Sequence, residues 1–205
     1  MNREKWNNRY SEATYAYGEG PNVFFSQWLP KFEARTILMP ADGEGRNGVY
    51  AATLGWQVTS FDLSSTGKTK ALQLAKQQQV KLEYTVGDFA EIQFEEASFD
   101  AIGLIYAHFP AEQKAAFHQK LHTYLKPGGV IIFEAFSKNH LPYKKANPKV
   151  GGPGNIDVAF STEEIEAYFP NFDYLLLEEV VVDLSEGQYH VGKGSVVRFV
   201  GRKKN

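Results

Sequence analysis

At 205 residues, 43% hydrophobic and 22% charged, the chain has the size and composition of one soluble globular domain, which excludes wholesale disorder. Its 22 basic and 24 acidic side chains leave a net charge of −2, without the basic excess by which a protein grips nucleic acid or an anionic membrane surface. There is no cysteine, so disulfides, thiolate catalysis and Cys-ligated zinc are excluded. The first ten residues lack the apolar core of a signal peptide, and no apolar run approaches the ~18 residues of a membrane span, so a cytoplasmic location is expected.

In chain order, residues 36–39 (Thr-Ile-Leu-Met) read as a strand running into a turn at residues 42–45. Residues 46–54 then form a helix closed by Gly55, because glycine tolerates the left-handed conformation that ends helices. A second strand covers residues 57–61, and Ser64 or Ser65 caps a helix reaching Gln79. Third and fourth strands are expected over residues 81–86 and 99–106. Phe117, Leu121, Tyr124 and Leu125 share one helix face, Pro127-Gly128-Gly129 stops that helix, and residues 130–133 read as a buried strand. Alternation of this kind implies crossover connections and a mostly parallel sheet covered on both faces.

The last third differs. Ser161 and Glu164 form a capping box, and Ile165, Tyr168 and Phe169 give the ensuing helix an apolar face ended by Pro170. Residues 172–184 and 191–201 are β-rich and separated by a short Gly-containing connection, which joins antiparallel strands. The Pro-, Gly- and Lys-rich stretch between Ser137 and Ser161 is longer than a connector needs, and such loops often bind or cover ligands.

Gly43-Glu44-Gly45-Arg46-Asn47-Gly48 fits G-x-G-x-x-G after a strand and before a helix, and Asp62 lies 19 residues beyond Gly43 at the end of the next strand. That spacing suits a nucleoside ligand, with close backbone approach at the glycines and a carboxylate on the ribose hydroxyls. Asp42, Glu44, Asp62 and Asp88 would line one crevice, repelling a pyrophosphate and favouring a cationic ligand such as S-adenosylmethionine. Arg46 stays open: it answers a phosphate, pairs with a ligand carboxylate, or points to solvent.

Residues 37–64, then Gly87-Asp88-Phe89, then Leu125-Lys126-Pro127-Gly128-Gly129, resemble a class I S-adenosylmethionine-dependent methyltransferase. Gly43-Glu44-Gly45-Arg46-Asn47, the opening Trp6-Asn7-Asn8-Arg9-Tyr10 and the later Glu186-Gly187-Gln188-Tyr189-His190 are similar to the small bacterial tellurite-resistance and thiopurine methyltransferase group. The resemblance covers nearly the whole chain. It implies an α/β fold with a Rossmann-like, doubly wound seven-stranded sheet, mostly parallel with a C-terminal antiparallel hairpin. One methyltransferase domain over residues 1–205 is expected, comprising an N-terminal helical lid (1–30), a cofactor core (36–137), a long loop (138–160) and a helix with the hairpin (161–205).

The resemblance further implies a cofactor set of Ala41, Asp42, Gly43, Gly45, Arg46, Asn47, Asp62, Leu63, Ser64, Asp88, Phe89 and Tyr106. Ala41, Gly43 and Gly45 would approach the amino-acid half, Asp62 the ribose, Leu63 and Phe89 the adenine faces, Asp88 the adenine amino group and Tyr106 the donor methyl. Two positions depart from the family pattern: Met39 stands where an acidic residue is usual and Ala41 where a glycine is usual, with Asp42 as the compensating carboxylate.

For the acceptor side, His108, Tyr106 and His190 are the catalytic candidates, since a histidine beside the donor can take a nucleophile's proton. Arg9, Tyr10, Tyr17, His108, Tyr189 and His190 are the substrate-side candidates. Lys138, Lys144, Lys145 and Lys149 suggest an anionic partner or a solvated face. No metal-ligand spacing is present, and no metal is expected. The expected reaction is methyl transfer from S-adenosyl-L-methionine, leaving S-adenosyl-L-homocysteine, to a small nucleophile, with sulfur, selenium or tellurium compounds leading. No nucleic acid or membrane partner is expected, and the chain is read as a monomer or homodimer. A non-catalytic sensor of the same cofactor and an NAD(P)-dependent reductase are the alternatives.

Overall fold

The structure is a computed structural model that describes residues 2–205. Five strands run parallel: β1 (Thr36–Pro40), β2 (Gln57–Asp62), β3 (Glu83–Val86), β4 (Phe99–Ile105) and β5 (Leu125–Phe136). β6 (Phe172–Glu186) and β7 (His190–Lys203) complete a seven-stranded sheet in the order β3-β2-β1-β4-β5-β7-β6, with β7 antiparallel to both of its neighbours. The helices are α1 (Arg3–Arg9), α2 (Val23–Trp28), α3 (Arg46–Thr53), α4 (Ser65–Gln77), α5 (Lys114–Tyr124), α6 (Leu141–Ala146) and α7 (Thr162–Tyr168). This is the doubly wound, mostly parallel sheet with an antiparallel C-terminal hairpin that the sequence implies.

Local signals act where expected. Ser64 caps α4 by accepting from the Gly67 N–H, both halves of the Ser161–Glu164 capping box form, and Gly55 stands at φ +88° after α3. Two expectations need correction. Lys126-Pro127-Gly128-Gly129 does not separate helix from strand: β5 already begins at Leu125, opposite Phe99, and the pairing resumes at Val130 opposite Ala101. Pro127 cannot donate to the ladder and Gly128 sits at φ +74°, so the segment bulges out of the strand. The long loop is also folded, holding α6 and three single 3-10 turns, with Val150 and His140 buried.

Each sheet face has its own core. Phe61, Phe89, Phe117, Phe133, Phe169 and Phe199 fill the side covered by α5 and α7. Phe25, Leu29, Met39, Val58, Ile132 and Val200 fill the other, beneath α2 and α3. Met39 is 1% exposed, and a Cβ on Gly103 would come within 2.6 Å of its Sδ. Met39 is therefore a core contact, made possible by the glycine on the neighbouring strand.

Candidate active site

Among parallel strands, a ligand crevice forms where the strand order reverses, at the carboxyl ends. Here that point lies between β1 and β4. The residues following these strands, Ala41 and Tyr106, both adopt φ +53°, a left-handed conformation that costs a non-glycine residue about 1 kcal/mol or more. Strain is thus concentrated on both lips of the crevice. A surface hollow of about 370 Å³ bounded by Lys31, Arg35, Asp100, Gly128 and Arg202 lies at the opposite edge of the sheet.

The glycine turn is needed for close packing. Gly45, at φ +81°, precedes α3, and a Cβ there would approach the Ala71 Cβ to 2.5 Å. Gly43, at φ +57°, lies under Tyr10, whose hydroxyl would be 2.6 Å from an added Cβ. Asp62 closes the turn by accepting from the N–H groups of Ser64 (2.8 Å) and Gly43 (3.2 Å). Burial raises its carboxyl to about 6 against those backbone bonds.

Of the four carboxylates expected in one crevice, Asp42 and Glu44 are turned to partners within the protein. Asp42 turns beneath α3, accepting from Ser60 Oγ at 2.7 Å and the Gly48 N–H at 3.3 Å, and burial pushes its carboxyl up to about 7. Glu44 faces away, paired with Lys70 at 2.7 Å and accepting from the Ala16 N–H at 2.7 Å. Asp88 is half-buried, and its Oδ1 accepts from the Ala90 N–H at 3.0 Å. Asp62 ends β2 and Asp88 lies just beyond β3 on the same edge, so the charge argument from the turn reduces to these two residues.

The other cofactor-set residues divide by placement. Ala41, Gly43, Gly45, Asp62, Leu63 and Tyr106 lie together at the carboxyl edge. Phe89 does not: its ring is 1% exposed in the core, stacked on Phe61 and Phe109, because the aromatic cluster under α5 claims it. Ser64 is fully buried as the α4 cap and donates to Asn7 Oδ1 at 2.7 Å.

Arg46 pairs with Glu186 at 2.9 Å, both side chains buried, an outcome that none of its three expected alternatives included. Asn47 accepts from the Asn22 N–H at 2.9 Å, and the Asn22 amide donates to Glu134 (2.7 Å) and Glu186 (2.9 Å). Glu134 also accepts from Tyr106 Oη at 3.0 Å and from Arg198 Nε at 2.6 Å. Sequence reasoning missed this network. Its one legible sign was a lone carboxylate, Glu134, inside the apolar run of β5.

The β6–β7 turn falls at the carboxyl edge, because β7 begins there to run antiparallel to β5. His190 Nδ1 donates to Glu186 Oε2 at 3.1 Å, and its ring packs on Tyr106 (4.4 Å between centroids), Tyr17 (4.6 Å) and Phe136 (5.2 Å). Burial would raise Glu186, but the hydrogen bond from His190 and the Arg46 charge hold it at about 2. Burial lowers His190, so its imidazole is neutral near pH 7 with Nε2 carrying the lone pair. His108 instead donates Nδ1–H to the Val158 carbonyl at 2.9 Å, its Nε2 is enclosed without a partner, and burial lowers it to about 4. Arg9 donates to Tyr17 Oη at 3.2 Å and lies over the Tyr189 ring at 3.7 Å, while Gln188 N–H bonds to the Ala16 carbonyl at 2.9 Å. The N-terminal segment and the hairpin tip therefore close together beside the crevice. Among the described residues, no group of three or more His, Asp or Glu side chains is arranged to hold a metal.

Residues 37–129 match the family described as methyltransferase domain. The match spans less than half of the chain. No curated protein sequence matches the chain. Among solved structures, one from work on the conversion of a disulfide bond into a thioacetal group during echinomycin biosynthesis superposes with a TM-score of 0.77 at 17% identity, covering 98% of this chain and 92% of that one. TehB from Haemophilus influenzae gives 0.72 at 16% identity over 98% of this chain and 67% of its own. The N-methyltransferase NodS from Bradyrhizobium japonicum WM9 gives 0.65 at 15% over 89% and 93%. At these identities the likeness is one of fold. No helix of the described residues is long and apolar enough to cross a membrane.

A match to a methyltransferase domain implies S-adenosylmethionine as donor, and the residues at the carboxyl edge are compatible with it. Asp62 is a buried carboxylate that forms no ion pair among the described residues, its partners being backbone N–H groups, chiefly those of Ser64 and Gly43. A carboxylate has capacity for about four donors, so a ribose diol can bond the remaining lone pairs. This is an observation on the side chain, independent of the family match.

Proposed function

We propose that the whole chain is one S-adenosylmethionine-dependent methyltransferase acting on a small nucleophile, residues 1–30 serving as its lid. The observation that carries this reading is Asp62, a buried carboxylate with no ion pair among the described residues, at the switch-point edge beside the glycine turn. Asp62 would hold the ribose hydroxyls, with the backbone at Ala41, Gly43 and Gly45 along the amino-acid half and Leu63 against the adenine. When bound, the cofactor supplies an electrophilic methyl group on a sulfonium centre, a good leaving group. The protein's work is then to orient the acceptor and exclude water, which in well-oriented cases is worth several kcal/mol, roughly 7 or more.

His190 would assist as a proton acceptor. With Nδ1–H committed to Glu186, its Nε2 accepts the proton of an N–H, O–H or S–H acceptor as the new bond to carbon forms, and later releases it to water. A soft sulfur, selenium or tellurium anion needs no such base, and for it Tyr106 and His108 would only shape the site. The sulfur chemistry named for the echinomycin structure supports keeping a sulfur acceptor in the set.

Calorimetric titration with S-adenosylhomocysteine, with NADH as control, tests the reading. One-to-one binding of the thioether, weakened about tenfold or more in Asp62→Ala, is expected. NADH binding alone would reinstate a reductase, and methyl transfer to any acceptor would eliminate the sensor alternative.

A further inference from the structure

Of the four lysines that the long loop contributes, the structure sets one apart. Lys138 is paired with Glu164 at 2.9 Å, and Lys145 and Lys149 are exposed. Lys144 is half-buried and donates to the Gly152 carbonyl. Burial and the charges of Lys5 and Arg9 lower its affinity for a proton, with no carboxylate opposing them. Arg9 is engaged by Tyr17 Oη and the Tyr189 ring, and among the described residues none of these three cations forms an ion pair. Glu12, whose Oε1 accepts from Tyr189 Oη at 3.4 Å, is committed to the tyrosine on which Arg9 stacks.

The position of this cluster gives it meaning. A Cβ on Gly152 would lie 2.8 Å from His140 and 2.9 Å from Phe136, and one on Gly151 would lie 2.8 Å from His190, so this loop runs across the aromatic end of the crevice. Tyr17, which Arg9 holds, also packs on His190. Lys144 and Arg9 are therefore each tethered to a segment packed against His190, Lys144 through Gly152 and Arg9 through Tyr17, and their charges oppose one another. Like charges brought together without a counter-charge repel one another, and an anion between them relieves that repulsion. Arg9 adds the planar fork that matches carboxylate and phosphate oxygens.

We propose that the methyl acceptor is an anionic small molecule whose carboxylate or phosphate group is held by Arg9 and Lys144, with Lys5 behind them, so that its nucleophilic end points inward to His190. This rests on the methyltransferase reading, and the test keeps the two apart. The protein is first titrated with S-adenosylhomocysteine, and the saturated complex is then titrated with matched probes. These are para-mercaptobenzoate, para-hydroxybenzoate and para-aminobenzoate, each against its neutral carboxamide, and para-hydroxyphenyl phosphate against hydroquinone. The anions are expected to bind about tenfold tighter at low salt, and the preference should shrink toward unity at roughly 0.5 M salt. In the Arg9→Gln, Lys144→Met double variant, or in Lys144→Met alone if the double variant does not fold, the preference should fall to about twofold or less. Lys144→Arg should retain it, and S-adenosylhomocysteine affinity is the control for an intact fold. Better binding of the phosphate or of the carboxylates decides the anion. Equal or tighter binding of the neutral partners, a preference that survives in the variants, or no binding by any anion overturns the proposal. Failure of S-adenosylhomocysteine itself to bind overturns the methyltransferase reading and this proposal with it.

Discussion

Asp42 offers a direct test of how burial sets the energetics of the turn. Its carboxylate lies beneath α3, with Ser60 and the Gly48 N–H as partners and no cation in contact, and its carboxyl moves from 3.8 to about 7, chiefly through burial. The folded state thus binds this proton more tightly than the unfolded chain does. Stability from this group is complete below pH 3.8 and is lost as pH rises through about 7. At about 1.4 kcal/mol per pH unit the full loss is about 4 kcal/mol, of which somewhat more than half, about 2–3 kcal/mol, falls between pH 5 and pH 8. Asp42→Asn keeps the shape, keeps an acceptor for the Gly48 N–H and can donate its amide to Ser60. It should therefore gain on wild type by about 2–3 kcal/mol more at pH 8 than at pH 5. Urea unfolding of both proteins at the two pH values measures this, provided the m-values agree. An advantage of equal size at both pH values would show that Asp42 does not titrate in this window, and the argument from burial would fail.

Gly48→Ala should destabilise by about 1–2 kcal/mol in calorimetric melts, although alanine normally favours a helix interior by about 1 kcal/mol. The reason is that its Cβ would stand 2.3 Å from Asp42 Oδ2 and 2.7 Å from Ser60 Oγ; a gain in melting temperature would refute it. Ala41→Gly should stabilise by about 0.5–1 kcal/mol, the relief of its φ of +53° exceeding the added chain entropy, and Ala41→Val should do the reverse. Glu186 is held at about 2 against an ordinary 4.5, so it stabilises the fold above pH 4.5, and about 3 kcal/mol is lost as pH falls toward 2. Glu186→Gln should abolish that part of the acid dependence and leave Arg46 buried without its partner, lowering stability at pH 7 by about 3 kcal/mol. An unchanged acid limb in the variant would mean that the Arg46–Glu186–His190 contacts do not carry charge.

The features read correctly from the sequence are those in which cause and effect lie within a few residues. Ser161 and Glu164 cap one helix turn, Gly55 supplies one left-handed residue, and strand–helix alternation dictates crossovers, so the parallel sheet and its hairpin follow from local chemistry. The glycine turn was legible for the same reason. Its charge was not. Asp42, Glu44 and Asp62 look like one acidic lining until the fold sends the first under α3 and the second to Lys70, leaving only the third at the strand ends.

What required the tertiary structure joins residues far apart in the chain. Asn22 meets Glu134 and Glu186 across 112 and 164 positions, and no periodicity in a single segment marks such a partnership. Arg46 was read toward a ligand or solvent, and packing gave it Glu186 instead. The hairpin was visible, but the end of the sheet that bears its turn was decided by β7 inserting antiparallel beside β5, which carries His190 to the crevice. Strand and helix propensities are short-range quantities. The desolvation and pairing of charges depend on which surfaces the whole chain brings together.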